Sequence, residues 1–124
     1  GRVHTQVKVI HASGGTPHVD PDLVPIIREL ESVFKYTAYR LVTSQNMMLG
    51  LNQKGRVRLP GNRVLVITPL QIKGQRISYQ INILKERRSI FQTRILLRNN
   101  SSVTIGGPRF KNGVILFNIR GSAR

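Results

Sequence analysis

The sequence predicts a mainly β fold, an antiparallel β-sandwich or small barrel with one N-terminal amphipathic α-helix over about residues 21–35. Three observations carry this. Apolar and polar residues alternate with period two over most of the chain after Tyr36, turn signals recur roughly every 8–12 residues, and helical periodicity appears only once. At 124 residues the chain can bury a core without metal or disulfide staples, and it reads as a single domain, 1–124. No apolar run approaches the roughly 18–20 residues that span a bilayer as a helix. The chain begins at Gly1 rather than Met, which suggests a processed or trimmed product. It has no cysteine, which excludes disulfides, thiolate metal sites and cysteine nucleophiles.

The first element is a strand around Val7-Lys8-Val9-Ile10, with Val7 and Val9 on one face. It ends in the loop Ser13-Gly14-Gly15-Thr16-Pro17. The helix follows, because Leu23, Ile26, Ile27, Leu30 and Phe34 form one apolar stripe at helical spacing. Asp20 or Asp22 can cap it, Asp22 being the better placed, with Pro21 or Pro25 in the first turn. From Tyr36 onward Tyr39, Leu41 and Thr43 alternate with Arg40, Val42 and Ser44. A hairpin closes at Leu59-Pro60-Gly61-Asn62 and leads into Val64 to Ile67, apolar on both faces and therefore central. After the Lys73-Gly74 turn, Ile77, Tyr79, Ile81 and Ile83 alternate with Arg76, Ser78, Gln80 and Asn82, the pattern of a half-buried strand. Lys85 to Arg88 turn the chain into a strand with Phe91, Thr93, Ile95 and Leu97 on one face. Asn99-Asn100 turns into Val103 to Ile105, and Gly106-Gly107-Pro108 reads as a tight connection or bulge. Asn112-Gly113 signals a hairpin leading into Ile115, Phe117 and Ile119, and 121–124 reads as a frayed tail.

Catalysis finds little support. His4, His11 and His18 are spaced by seven, which on a strand alternates faces, so a histidine metal site with Asp20 is the weaker reading and solvated histidines the better one. Glu29 and Glu31 are two apart on a helix and diverge, and Glu86 sits in the Lys85-Glu86-Arg87-Arg88 turn as a surface charge. Ser13, Ser44, Ser89 and Ser101 lack a nucleophile-elbow pattern, and Gly106-Gly107-Pro108 lacks the lysine and helix of a phosphate loop. No enzyme, no metal and no cofactor are expected.

Charge is the strongest functional signal. Twenty basic and five acidic side chains give a formal +15, and Glu86 is the one carboxylate after Glu31. Such an excess attracts anionic surfaces and polymers. Arg56 with Arg58, Arg76 with Ser78, Gln80 and Asn82, and Arg94 with Arg98 have the parity that puts them on one strand face. These five arginines are the candidate polyanion-binding residues. Tyr36, Tyr39 and Phe110 are the aromatics open to a surface role, and no RNA-binding aromatic signature is present.

The stretch Thr93 to Ile119, TRILLRNNSSVTIGGPRFKNGVILFNI, resembles a hairpin of bacterial outer-membrane secretins. Arg98-Asn99-Asn100 would be the turn, Val103-Thr104-Ile105 the strand and Gly106-Gly107 its end. It departs from that pattern at Pro108, and no membrane-facing hairpins follow. The whole pattern, ending in IGGP…NGVILFNI, is similar to small uncharacterised exported proteins of Gram-negative bacteria. That resemblance implies a periplasmic or extracellular location and no particular activity.

The leading expectation is a non-enzymatic envelope or extracellular β-domain, an assembly subunit that binds other protein subunits or copies of itself. Residues 1–12 would be an exchangeable N-terminal strand, with Val7, Val9 and Ile10 as its pairing core. The alternative is a polyanion-binding module for nucleic acid, acidic polysaccharide or lipopolysaccharide.

Overall fold

A computed structural model describes residues 2–123; Gly1 and Arg124, the ends of the expected exchangeable strand and tail, lie outside the described residues. The strands are β1 (Arg2–Ser13), β2 (His18–Val19), β3 (Ala38–Gly50), β4 (Gly55–Leu59), β5 (Arg63–Lys73), β6 (Arg76–Lys85), β7 (Arg88–Arg98), β8 (Ser101–Phe110) and β9 (Gly113–Ala123). They form a five-stranded sheet in the order β2-β3-β1-β9-β8 and a four-stranded sheet in the order β4-β5-β6-β7. The fold is a mainly β sandwich with a short helical segment. The four-stranded sheet is antiparallel throughout, whereas the two-residue β2 pairs parallel to β3.

The chain divides into two compact units. The first comprises Gly1–Val7, Gln45–Val103 and Ile119–Arg124, the second Lys8–Ser44 and Thr104–Asn118. Strands β1, β3, β8 and β9 contribute residues to both.

The first unit contains the whole four-stranded sheet. Ile77, Tyr79, Ile81 and Ile83 are all buried, as their alternation requires, and the register puts them on one face with buried Leu65, Ile67, Val57 and Leu97. Buried Tyr79 shares a 2.8 Å hydroxyl–hydroxyl hydrogen bond with buried Thr5. Gly121 lies against the same ring; a Cβ there would come within 2.5 Å of the Tyr79 hydroxyl. The expected frayed tail is instead strand up to Ala123, because the side chain of Asn99 pairs with it. Asn99 Nδ2 donates to the Ala123 carbonyl (3.1 Å), and the Ala123 amide donates to Asn99 Oδ1 (2.7 Å).

The second unit is built round the helical stripe. Leu23 and Leu30 are fully buried with Ile10, Ala12, Tyr39 and Leu116, and Ile26, Ile27 and Phe34 pack against them. The expected helix is two pieces, a 3-10 segment (Pro21–Ile26) and α1 (Ile27–Val33). Pro25 explains the break, because it lacks an amide hydrogen and its ring crowds the carbonyl four residues back. Asp20 stands at the N-terminal cap position but makes no capping bond. Its carboxylate instead accepts from the Leu41 amide (2.6 Å) and His18 Nε2 (2.6 Å), and these two bonds, His18 first, hold its pKa below the ordinary value.

Several surface expectations change. Tyr39 is buried, its hydroxyl donating to the Phe34 carbonyl at 2.9 Å, whereas Phe91, on the same strand face as buried Leu97, is exposed at the sheet margin. The Asn112-Gly113 hairpin turns one residue earlier, at Lys111-Asn112, and Gly113 opens β9 with its Cα against the Ala12 carbonyl. Gly106-Gly107-Pro108 is no connection, since β8 runs through it. Gly107 is required there because a Cβ would meet the Phe117 ring at 2.5 Å. The stretch resembling a secretin hairpin is not one here, since β7 and β8 lie in different sheets.

Candidate functional site

The register of the four-stranded sheet decides which side chains share a face. Arg56 lies opposite Val66, Val66 opposite Asn82, and Asn82 opposite Gln92. One row along, Arg58, Val64, Leu84 and Ser89 align, although a bulge in β7 intervenes before Ser89. In the other direction come Thr68, Gln80 and Arg94, then Gln71, Ser78 and Leu96, and at the end Lys73, Arg76 and Arg98. Directly paired residues project to the same side of a sheet. All five sequence-predicted arginines therefore stand on one outer face, opposite to the buried Leu65-Ile67-Ile77-Tyr79-Ile81-Ile83 face. The five are exposed.

Lys73 joins them and was missed. Its signal was in the turn: Gly74 has φ +61°, so Gly74-Gln75 make a two-residue hairpin loop that sets Lys73 opposite Arg76. Lys73, Arg76 and Arg98 thus sit side by side on three adjacent strands, spanning about 10 Å at the usual strand spacing. Like charges directly opposite repel. No described residue of β4, β5, β6 or β7 is a carboxylate, so the sheet supplies no internal anion to relieve that repulsion. Arg94 is steadied by its Nε donating to Gln80 Oε1 at 3.0 Å. Between the Arg94 row and the Lys73 row lies an open depression lined by Leu70, Gln71, Ser78, Arg94, Ile95 and Leu96.

No aromatic stands on this face. Phe91 pairs with Ile83 and so belongs to the other side, and Tyr79 is buried. Tyr36 packs partly against the helical core, and Phe110 meets His11 edge-on, with the Lys111 ammonium 5.4 Å from its ring centre.

The proposed pairing strand is placed differently from its expectation. Val7, Val9 and Ile10 are fully buried, and β1 lies inside its sheet between β3 and β9. A strand so placed offers no free edge; the edges are β2, β8, β4 and β7. The histidines have separate partners. His4 bonds Asn46, His11 the Phe110 carbonyl and His18 Asp20, and no cluster suited to a metal ion occurs among the described residues. No helix among these residues is long and apolar enough to cross a membrane.

Comparison with known proteins adds no family: no family model, curated protein or solved structure matches this chain.

Proposed function

We propose that the protein is a non-enzymatic polyanion-binding module that works through the outer face of its four-stranded sheet. The observation that carries this reading is the alignment of Lys73, Arg76 and Arg98 across three strands, with Arg94, Arg56 and Arg58 on the same face and no carboxylate on those strands. Folding sets these cations side by side at a cost in repulsion, and an anion laid across them relieves it. With no aromatic on the face to stack bases, the ligand is held by its phosphate or sulfate groups, without sequence preference. In the envelope location that the exported-protein resemblance implies, acidic polysaccharide or lipopolysaccharide would be the polymer met.

Salt dependence tests this. Binding to a short DNA duplex and to heparin should weaken steeply as salt rises, since each neutralised phosphate releases condensed counterions. The double variant Arg76→Ala/Arg98→Ala should bind both polymers more weakly and lower the slope for duplex by about 2. Arg28→Ala, on the helix of the other unit, should leave the slope unchanged. A slope equal in the native protein and the double variant would remove the site from this face.

A further inference from the structure

Within the first unit, the outer side of β1, β3 and β9 holds a second group of cations, which the polyanion reading does not use. Thr5 reaches inward to Tyr79, so Arg2, His4 and Gln6, at the alternate positions of β1, face outward. The close approach of Gly121 to Tyr79 likewise turns Arg120 and Ser122 of β9 outward. Two hollows on this side share His4 and Ser122. One is lined by His4, Gln6, Asn46, Arg120 and Ser122, the other by Arg2, His4, Met48 and Ser122.

The groups lining these hollows suit an anion. Arg2 and Arg120 bring two permanent charges from adjacent strands. His4 Nε2 lies 3.2 Å from Asn46 Oδ1, a bond that sets the ring. It leaves the other ring nitrogen and the Asn46 amide N–H groups for a ligand, and Gln6 adds a second amide. Ser122 contributes shape, not a donor, because its hydroxyl already donates to Asn100 Oδ1 at 2.6 Å. No carboxylate side chain occurs on β1, β3, β8 or β9, so these strands hold no acid to neutralise the arginines. Met48, 53% exposed, gives the second hollow an apolar wall.

We propose that the two hollows bind a small phosphate monoester. Its phosphate sits in the hollow of His4, Asn46 and Arg120, with Arg2 completing the charge, and its organic part rests on Met48. A phosphate monoester carries about −1.5 to −2 charges at neutral pH and three strong acceptor oxygens, which two guanidinium groups and an imidazole can match. The cations here surround a recess about 10 Å across three strands, whereas the Lys73-Arg76-Arg98 row lies on an open face. A recess suits a compact ligand and an open row a polymer. No residue assigned to polyanion binding takes part, so this site stands or falls apart from that reading.

The histidines make the test local, because His4 belongs to the first unit and His11 and His18 to the second. Inorganic phosphate and phenyl phosphate are titrated into the intact protein at constant ionic strength, and the imidazole C–H signals are followed by NMR. The His4 signals should move and saturate while those of His11 and His18 stay in place. Phenyl phosphate should bind about threefold more tightly than inorganic phosphate, through its ring on the Met48 sulfur. Arg120→Gln, at an exposed position, should weaken phenyl phosphate binding about tenfold, and Met48→Ala should remove the preference for the phenyl ester. Arg28→Ala, which lowers the net charge equally but lies in the other unit, should bind as the native protein does. His4 signals that never saturate, three histidines that move alike, or equal affinities for the two probes would each overturn the proposal. So would an Arg120→Gln loss no larger than that of Arg28→Ala. Heparin affinity in the Arg76→Ala/Arg98→Ala variant bears on the polyanion reading alone.

Discussion

The two units of this chain contrast most in charge. The first holds fourteen basic side chains against one acidic, a formal +13, and the second holds six against four, a formal +2. Their interiors are comparably apolar, so the difference lies in what the surface is made of. In the second unit the helix and its flanks carry the acids, and Asp20 ties Leu41 and His18 together. In the first, long strands with alternating inward and outward residues display arginine on the outer side of an apolar sheet. A β-strand commits every second residue to the same face, so a basic strand concentrates charge that a helix would disperse.

Stability measurements can sharpen this comparison, and the largest effects should come from the glycines. Gly113→Ala would drive a Cβ into the Ala12 carbonyl, a main-chain obstacle that cannot swing away, so a loss of about 3 kcal/mol or more, or failure to fold, is expected in chemical denaturation. Gly121→Ala meets the end of the Tyr79 ring instead, which can shift, and should lose less. Equal losses would mean that both sites are similarly rigid.

Next come the two buried tyrosines, one in each unit. Tyr79→Phe strands the Thr5 hydroxyl in the core, and a loss of about 1–3 kcal/mol is expected. Tyr39→Phe removes a bond to the Phe34 carbonyl, a partly buried group, and should lose nearer 1 kcal/mol. Burial raises the pKa of both phenols above the ordinary value of 10. Because the folded state holds these protons longer than the unfolded chain, stability is intact below pH 10 and falls as pH rises through that value toward the folded pKa values. Absorbance of tyrosinate followed with circular dichroism should show ionisation of these two accompanying alkaline unfolding rather than preceding it.

Asp20 gives the second unit an acid-sensitive contact. Its lowered pKa means that its contribution is present above the ordinary value of 3.8 and is lost as pH falls through the folded one. Asp20→Asn should therefore melt below the native protein at neutral pH, with the gap in Tm narrowing as pH drops below 3.8. A gap independent of pH would mean that the side chain's shape, not its charge, holds β2 and β3.

The smallest effect should have the opposite sign. Arg76→Ala removes one cation from the Lys73-Arg76-Arg98 row and should raise stability by a few tenths of a kcal/mol at low salt. High salt should erase the gain, because the repulsion is between exposed charges. A salt-independent change would show that the row is not electrostatically coupled.

Much of this could be read from the chain alone, for a local reason. Alternation with period two gave β6 its buried Ile77-Tyr79-Ile81-Ile83 face and assigned the five arginines to strand faces, and the helical stripe of Leu23 to Phe34 packs as its spacing demands. Turn residues at Gly61-Asn62, Gly74 and Asn99-Asn100 have positive φ at Gly61, Asn62, Gly74 and Asn100, which only a few residue types adopt readily. What depends on distant parts of the chain was decided by tertiary structure. Strand order put β1 in the middle of its sheet and sent β7 and β8 to different sheets, because pairing partners are chosen by the burial of whole faces, not by the sequence of the strand itself. The same non-local pairing set Lys73, Arg76 and Arg98 in one row, turned Asp20 from helix cap to partner of Leu41, and made Gly113 and Gly121 necessary where other groups approach. A residue's own neighbours fix which way it points; only the fold fixes what it meets there.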